Sequence, residues 1–280
     1  MRKRSVTLSA DDPRPARGPG APGPVISRLV ALGVTPNMVS WAGLVCSLAG
    51  GVFLAIGAGD TLRWEAATTP VSTSWWPVFA GLFIGLAAVA DLLDGRLARH
   101  GNLETKFGAV LDSTLDRFGD MAVFIGCAVY YARNGNATLV LVSCLALAGA
   151  VQISYVKARA ENFVDGVGIG FWQRGERVVA VLVGCFAGRI PTVLWISAIF
   201  PLFTVLRRVR YAYGLLSGKR AQGILNELAT IAPWRQRRGS AAYVLFCAVV
   251  TAAIIGAPLA SPFFYGSSDP LGALLSRLAP

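Results

Sequence analysis

Residues 75–116 read WWPVFAGLFIGLAAVADLLDGRLARHGNLETKFGAVLDSTLD. From Trp75 to Ala90 there is no charged residue, and then four aspartates, Asp91, Asp94, Asp112 and Asp116, follow within 26 positions. An apolar run approaching about 20 residues matches the hydrocarbon core of a bilayer, so this one reads as a membrane span that ends in acids. Asp91 and Asp94 are spaced i, i+3, and Asp112 and Asp116 i, i+4, which puts each pair on one face of its helix. His100 to Lys106 reads as the loop that brings the two faces together.

The rest of the chain has the same character. Of its 280 residues, 54% are hydrophobic and only 15% charged, with a mean hydropathy of +0.56. Soluble proteins carry roughly 25% charged residues, so this apolar excess faces lipid, and most soluble enzyme classes are excluded. Apolar stretches fall at about 38–58, 75–97, 107–131, 137–156, 176–189, 190–206 and 241–260. The fifth is short, and Arg189-Ile190-Pro191 divides it from the sixth. The expected fold is an all-α integral membrane protein. Its six-helix transmembrane bundle lies within a domain at 25–217, headed by a short amphipathic, interfacial helix at 25–34. Residues 1–24, rich in Arg, Pro and Gly, read as a disordered basic tail, with no apolar core of a secretory signal. Residues 218–280 read as a basic linker followed by one additional transmembrane helix.

The net charge of +11 by itself suits nucleic acid or an anionic membrane surface. Positive residues favour the cytoplasmic side of membrane proteins. With the N-terminus inside, every Lys and Arg except Arg63, Arg133, Arg189 and Arg277 falls on that side. The charge is therefore topological, no basic-aromatic interleaving supports nucleic acid, and the acidic site faces the cytoplasm of a cell-membrane protein. Trp75, Trp76, Trp172 and Tyr211 fit interfacial anchor positions. The five cysteines lie in apolar runs without metal-ligand spacing and read as small hydrophobes.

Four carboxylates gathered at one helix end repel unless a cation neutralises them, and oxygen-only ligands favour a hard ion such as Mg2+ or Mn2+. The plainer alternative is pairing with Arg96, Arg99 and Arg117. Ionisable groups within membrane segments are costly and tend to be functional, and the acids outnumber the bases on their own faces.

The full spacing, D-x-x-D-G-x-x-A-R-x8-G-x3-D-x3-D, resembles the signature of the CDP-alcohol phosphatidyltransferase family at all eight specified positions, Asp91, Asp94, Gly95, Ala98, Arg99, Gly108, Asp112 and Asp116. The resemblance extends from about Val25 to Tyr211 and takes in Thr35-Pro36-Asn37. It implies transfer of a phosphatidyl group from a CDP-linked lipid, CDP-diacylglycerol or CDP-archaeol, to a small alcohol with release of CMP. It further implies two divalent ions on Asp91, Asp94, Asp112 and Asp116, with Asp116 also the general base. Asn37, Asp94, Gly95, Ala98, Arg99 and Gly108 would hold the donor nucleotide and its phosphates, and the enzyme would be a homodimer.

Further basic groups, Lys157, Arg174-Gly175-Glu176-Arg177 and Arg207-Arg208, fall on the same side. They read either as topological anchors or as ligands for a phosphorylated acceptor. The string Ser154-Tyr155-Val156-Lys157-Ala158-Arg159-Ala160-Glu161 is similar to the family branch that makes phosphatidylinositol phosphate or its archaeal counterpart, which implies Lys157, Arg177 and Arg208 as acceptor-phosphate ligands. Arg174-Gly175 departs from the Arg-Pro of that branch, so glycerol 3-phosphate, the acceptor of a phosphatidylglycerophosphate synthase, is the competing substrate. Aromatic prenyltransferases set their two acidic motifs over a hundred residues apart, unlike these. An aspartate-lined cation transporter would place its site near the bilayer midplane at broken helices, whereas these acids map to a helix end.

Overall fold

A computed structural model describes residues 24–60, 73–101, 103–164, 166–218, 241–260 and 268–278. The basic tail over 1–23 and the basic linker over 219–240 lie outside the described residues. The elements are α1 (Pro24–Ala31), α2 (Pro36–Gly57), α3 (Trp76–His100), α4 (Lys106–Arg133), α5 (Ala137–Ala160), α6 (Arg174–Ala187), α7 (Ile190–Ser217), α8 (Ala241–Ala260) and α9 (Pro270–Leu278).

Local sequence sets the helix boundaries. Thr35 adopts extended backbone (φ −90°, ψ 152°), its hydroxyl accepts from the Met38 amide, and Pro36 opens the helix, a position where its missing N–H costs nothing. Thr105 caps α4 by accepting from the Gly108 amide at 2.8 Å. Between α6 and α7, Gly188 takes a left-handed conformation (φ 64°) and Pro191 starts the next helix, so the expected break falls there.

Four helices, α2, α3, α5 and α7, are long and apolar enough to cross a membrane. At 28 residues α4 is long enough, but Asp112, Asp116, Arg117, Asp120 and Arg133 dilute its apolarity. The 14 residues of α6 fall short of a full crossing on their own. Large apolar side chains such as Leu48, Val52, Leu86, Leu145 and Leu202 point outward, as lipid contact requires. The chain is an integral membrane protein.

α2 lies between α3 and α4. Beyond it α4 meets α5, α5 meets α7, α7 meets α6, and α6 returns to α3, so these helices close into a ring. Lipid tails are as apolar as Leu, so close packing rather than hydrophobic burial holds helices together in a bilayer. A Cβ at Gly126 of α4 would collide with the Gly51 carbonyl of α2, so the pair of glycines sets how near these two helices come. The core gathers Leu54, Phe124, Cys127, Leu139, Val142 and Leu194. Cys127 and Cys185 are buried as expected of small hydrophobes, whereas Cys144 is exposed.

The C-terminal helices strap onto this ring. Phe246 of α8 meets Phe171 at 4.5 Å between ring centroids, and the Tyr243 hydroxyl donates to Glu176 Oε1 at 2.6 Å. Asp269, just before α9, accepts from the Ala137 and Thr138 amides at 3.1 and 2.8 Å and from the Thr138 hydroxyl at 2.6 Å. The Thr138 hydroxyl and the surrounding amides hold the Asp269 carboxyl down at about 2. Trp172 departs from its expected place in an interfacial belt. Its backbone turns to φ 58°, and the indole is buried against Phe171 and Phe200.

Candidate active site

Gly101 ends α3 and Thr105 restarts the chain as α4, so the two acidic helix faces meet across a short loop. Asp91, Asp112 and Asp116 each offer a carboxylate oxygen within 4.8 Å of the others. Oxygens on opposite sides of a Mg2+ or Mn2+ ion stand about 4 Å apart, twice a bond of roughly 2.1 Å, so a small inward adjustment of three such donors would bring them onto a hard divalent cation. Asp94 lines the same recess but turns to α2. It is 6% exposed, and the Ser40 hydroxyl donates to its Oδ2 at 2.6 Å.

Next to the recess, sharing Asp94 and Asp112 with it, opens a cleft of about 460 Å³ lined also by Asn37, Gly95, Ala98, Arg99 and Gly108. Every residue that the family resemblance implies for the donor nucleotide therefore borders one cavity, of the size that small-molecule ligands occupy. Glycine keeps it open at one wall: a Cβ on Gly108 would stand 2.9 Å from Thr105 Oγ1 and 3.4 Å from Asn37 Oδ1.

The basic residues divide. Arg174, read from sequence only as part of a basic cluster, reaches the acids directly, with Nη1 2.6 Å from Asp91 Oδ1 and 2.8 Å from Asp116 Oδ1. Arg177 is buried, donates to the Trp172 carbonyl and pairs with Asp120. Arg208 is buried too, donating to the Ile169 carbonyl at 2.9 Å and to the Ile153 carbonyl. It lies within electrostatic reach of Arg177 and Glu161. Lys157 is half-exposed and pairs with Glu161 at 3.8 Å. The three assigned acceptor ligands thus gather around the chain between α5 and α6, and none of them touches the aspartates of the recess. Sequence reasoning missed Ser40, Asp120 and the reach of Arg174. A signal existed for the latter two, since arginines at i, i+3 on α6 face aspartates at i, i+4 on α4.

Among the described residues an all-helical membrane chain collects carboxylates beside a cleft, an arrangement that can hold a divalent ion against a bound substrate. Residues 33–219 match the CDP-alcohol phosphatidyltransferase family, and the chain belongs to that family. An uncharacterized protein of Aquifex aeolicus is 36% identical over 198 residues, covering 70% of this chain and 91% of that one. The phosphatidylinositol phosphate synthase of Mycolicibacterium smegmatis is 33% identical over 198 residues, covering 66% and 81%. Among solved structures, the phosphatidylinositol phosphate synthase of Mycobacterium tuberculosis with CDP-DAG bound aligns at a TM-score of 0.57 and 29% identity, covering 68% of this chain and 92% of that chain. The same enzyme in complex with manganese and citrate aligns at 0.57 and 28%, covering 68% and 88%. The helices α8 and α9 lie beyond the family match.

Proposed function

We propose that the protein transfers the phosphatidyl group of CDP-diacylglycerol to inositol phosphate and releases CMP. The observation that carries this reading is the cleft, in which the whole assigned donor set, Asn37, Asp94, Gly95, Ala98, Arg99 and Gly108, surrounds one space that adjoins the carboxylate recess and shares Asp94 and Asp112 with it. The relatives named phosphatidylinositol phosphate synthase support inositol phosphate over glycerol 3-phosphate.

Asp91, Asp94, Asp112 and Asp116 would hold two divalent ions, Mg2+ or Mn2+, which neutralise the pyrophosphate as its bond to the nucleotide breaks. Gly95 and Gly108 let the nucleotide lie against backbone, and Arg99 faces its phosphates. Asp116 accepts the proton of the acceptor hydroxyl. That oxygen attacks the phosphorus bearing the diacylglycerol, the bond to the bridging oxygen breaks, and CMP departs with the electron pair. Lys157, Arg177 and Arg208 hold the acceptor's phosphate, with Arg177 and Arg208 turning from their present partners to do so.

In the bilayer, α2 to α7 form a six-crossing domain at 25–217, α1 lies at the interface and α8 adds a crossing within 218–280. The N-terminus and the site face the cytoplasm, where the excess of Lys and Arg falls, and two copies form a homodimer. The test is CMP release from CDP-diacylglycerol by the purified protein, with Mg2+ or Mn2+, across inositol 1-phosphate, glycerol 3-phosphate, inositol and serine. Release that depends on inositol 1-phosphate is expected. Dependence on glycerol 3-phosphate alone would move the substrate and keep the chemistry, and the absence of metal-dependent release with every acceptor would overturn the reading.

A further inference from the structure

The Arg174 guanidinium bridges an oxygen of Asp91 on α3 and an oxygen of Asp116 on α4 through one nitrogen, Nη1. The other Asp116 oxygen stands 3.6 Å from Arg117 Nη1. Asp91 and Asp116 are two of the three side chains whose oxygens cluster within 4.8 Å. A divalent ion about 2.1 Å from these carboxylates would stand close to the guanidinium that already holds them, so the two cations repel each other and compete for the same negative charge.

The surroundings of Arg174 let it leave. It is the first residue of α6, next to Gly175, where an added Cβ would meet nothing within 4 Å. The residue before it is anchored, since the Gln173 side chain donates to the carbonyls of Gly168 and Gly170. The Arg174 side chain itself is 26% exposed and its buried Nε has no hydrogen-bond partner among the described residues, so the contacts of Nη1 with the two carboxylates are what hold the head in place. While it stays, it offsets the repulsion between carboxylates that would otherwise push α3 and α4 apart.

We propose that Arg174 is a positioning residue that acts as an exchangeable internal cation. It holds Asp91 and Asp116 in register and yields their oxygens to a divalent ion, so that metal affinity is set by a competition within the chain. This inference rests on the reading of the aspartates as a metal site. A site that is open for only a fraction of the time binds its ligand more weakly by that fraction. A merely structural bridge has the opposite signature, because removing it would disorder the ligands and weaken the metal.

The experiment titrates Mn2+ alone into chelator-stripped, full-length protein, reading free Mn2+ by electron paramagnetic resonance, and records melting with and without the ion. R174Q is expected to bind Mn2+ about tenfold more tightly than the wild type, the factor that follows if the bridged arrangement is populated roughly nine-tenths of the time. Its melting temperature in chelator should fall, and its rise on adding Mn2+ should exceed that of the wild type. R174K, which keeps a charge without the planar fork, should lie between the two. Equal or weaker Mn2+ binding by R174Q overturns this inference and leaves the metal site standing, whereas a wild type that binds no Mn2+ overturns both. If R174Q does not fold, phenylglyoxal labelling of the wild type decides: Mn2+ should speed modification of Arg174, and unchanged or slower labelling overturns the exchange.

Discussion

Replacing Ser40 by alanine deletes one hydroxyl, and the structure fixes what that hydroxyl does. Its proton has two acceptors within reach, Asp94 Oδ2 at 2.6 Å and the Pro36 carbonyl at 3.2 Å, and the closer, charged oxygen wins. Asp94 is 6% exposed, so water does not readily replace the lost donor. A hydrogen bond to a charged group contributes about 1.5–3 kcal/mol. Partners that orient a metal ligand are worth about 10–100-fold in metal affinity, which at about 1.4 kcal/mol per tenfold spans nearly the same range. S40A should therefore bind Mn2+ at least about tenfold more weakly and lose a similar factor in kcat/KM for CMP release. S40T, which keeps the hydroxyl, should recover most of both. The assays are a Mn2+ titration and CMP release at limiting CDP-diacylglycerol. An S40A protein that melts like the wild type and matches it in both readings would refute the role given to this contact.

Asp116→Asn should lower CMP release by at least about 10²-fold, the low end for removing a general base, while a binding isotherm shows that CMP is still held by the cleft. Arg177→Ala should destabilise the fold by about 3–5 kcal/mol in a detergent melt, because it leaves the Asp120 carboxylate unpaired beside the core. The double variant R177A/D120N should regain part of that loss, and an acceptor KM measured on R177A alone reports the damage as well as the site. Asp269→Asn should loosen α9, read as faster amide hydrogen exchange over 270–278. The folded carboxyl sits near 2, below its ordinary value, so in the wild type this attachment is complete above about pH 4. It fails as the pH falls through 2, and in D269N that pH dependence disappears.

Much of the fold could be read from sequence because its signals are local. Thr35-Pro36 announces α2, Gly188 and Pro191 divide α6 from α7, and apolar runs mark the long helices. The acid pairs were legible for the same reason, since i, i+3 and i, i+4 spacings define a face whatever surrounds it. What stayed hidden is which faces meet. Ser40 is an ordinary polar residue until α2 is laid beside α3. Arg174 and Arg177 look like positive anchors until the first turns of α6 come up against α4. Trp172 resembles a belt tryptophan, and only the backbone at φ 58° shows why it points inward. Arg208 was readable as a charge at the correct end of α7, but its bonds to the Ile153 and Ile169 carbonyls depend on a loop whose path no short-range pattern specifies.

The arginines of α6 also divide the acids into two groups. Asp91 and Asp116 are bridged by Arg174, and Asp120 by Arg177. Asp94 and Asp112 line the cleft, and among the described residues neither takes part in an ion pair. The acids of the recess are thus directly bridged by an arginine, whereas those bordering the cleft, where the donor's nucleotide would lie, share it with Arg99 and Lys106 without such a bridge. If Arg174 yields to a divalent ion as proposed, a cation arriving with the nucleotide would meet Asp94 and Asp112 first and would reach Asp91 and Asp116 in exchange for Arg174. On that proposal the order of filling follows from the pairing of α6 arginines with α3 and α4 aspartates, and Arg174 rather than Arg177 is the one whose removal should tighten the metal.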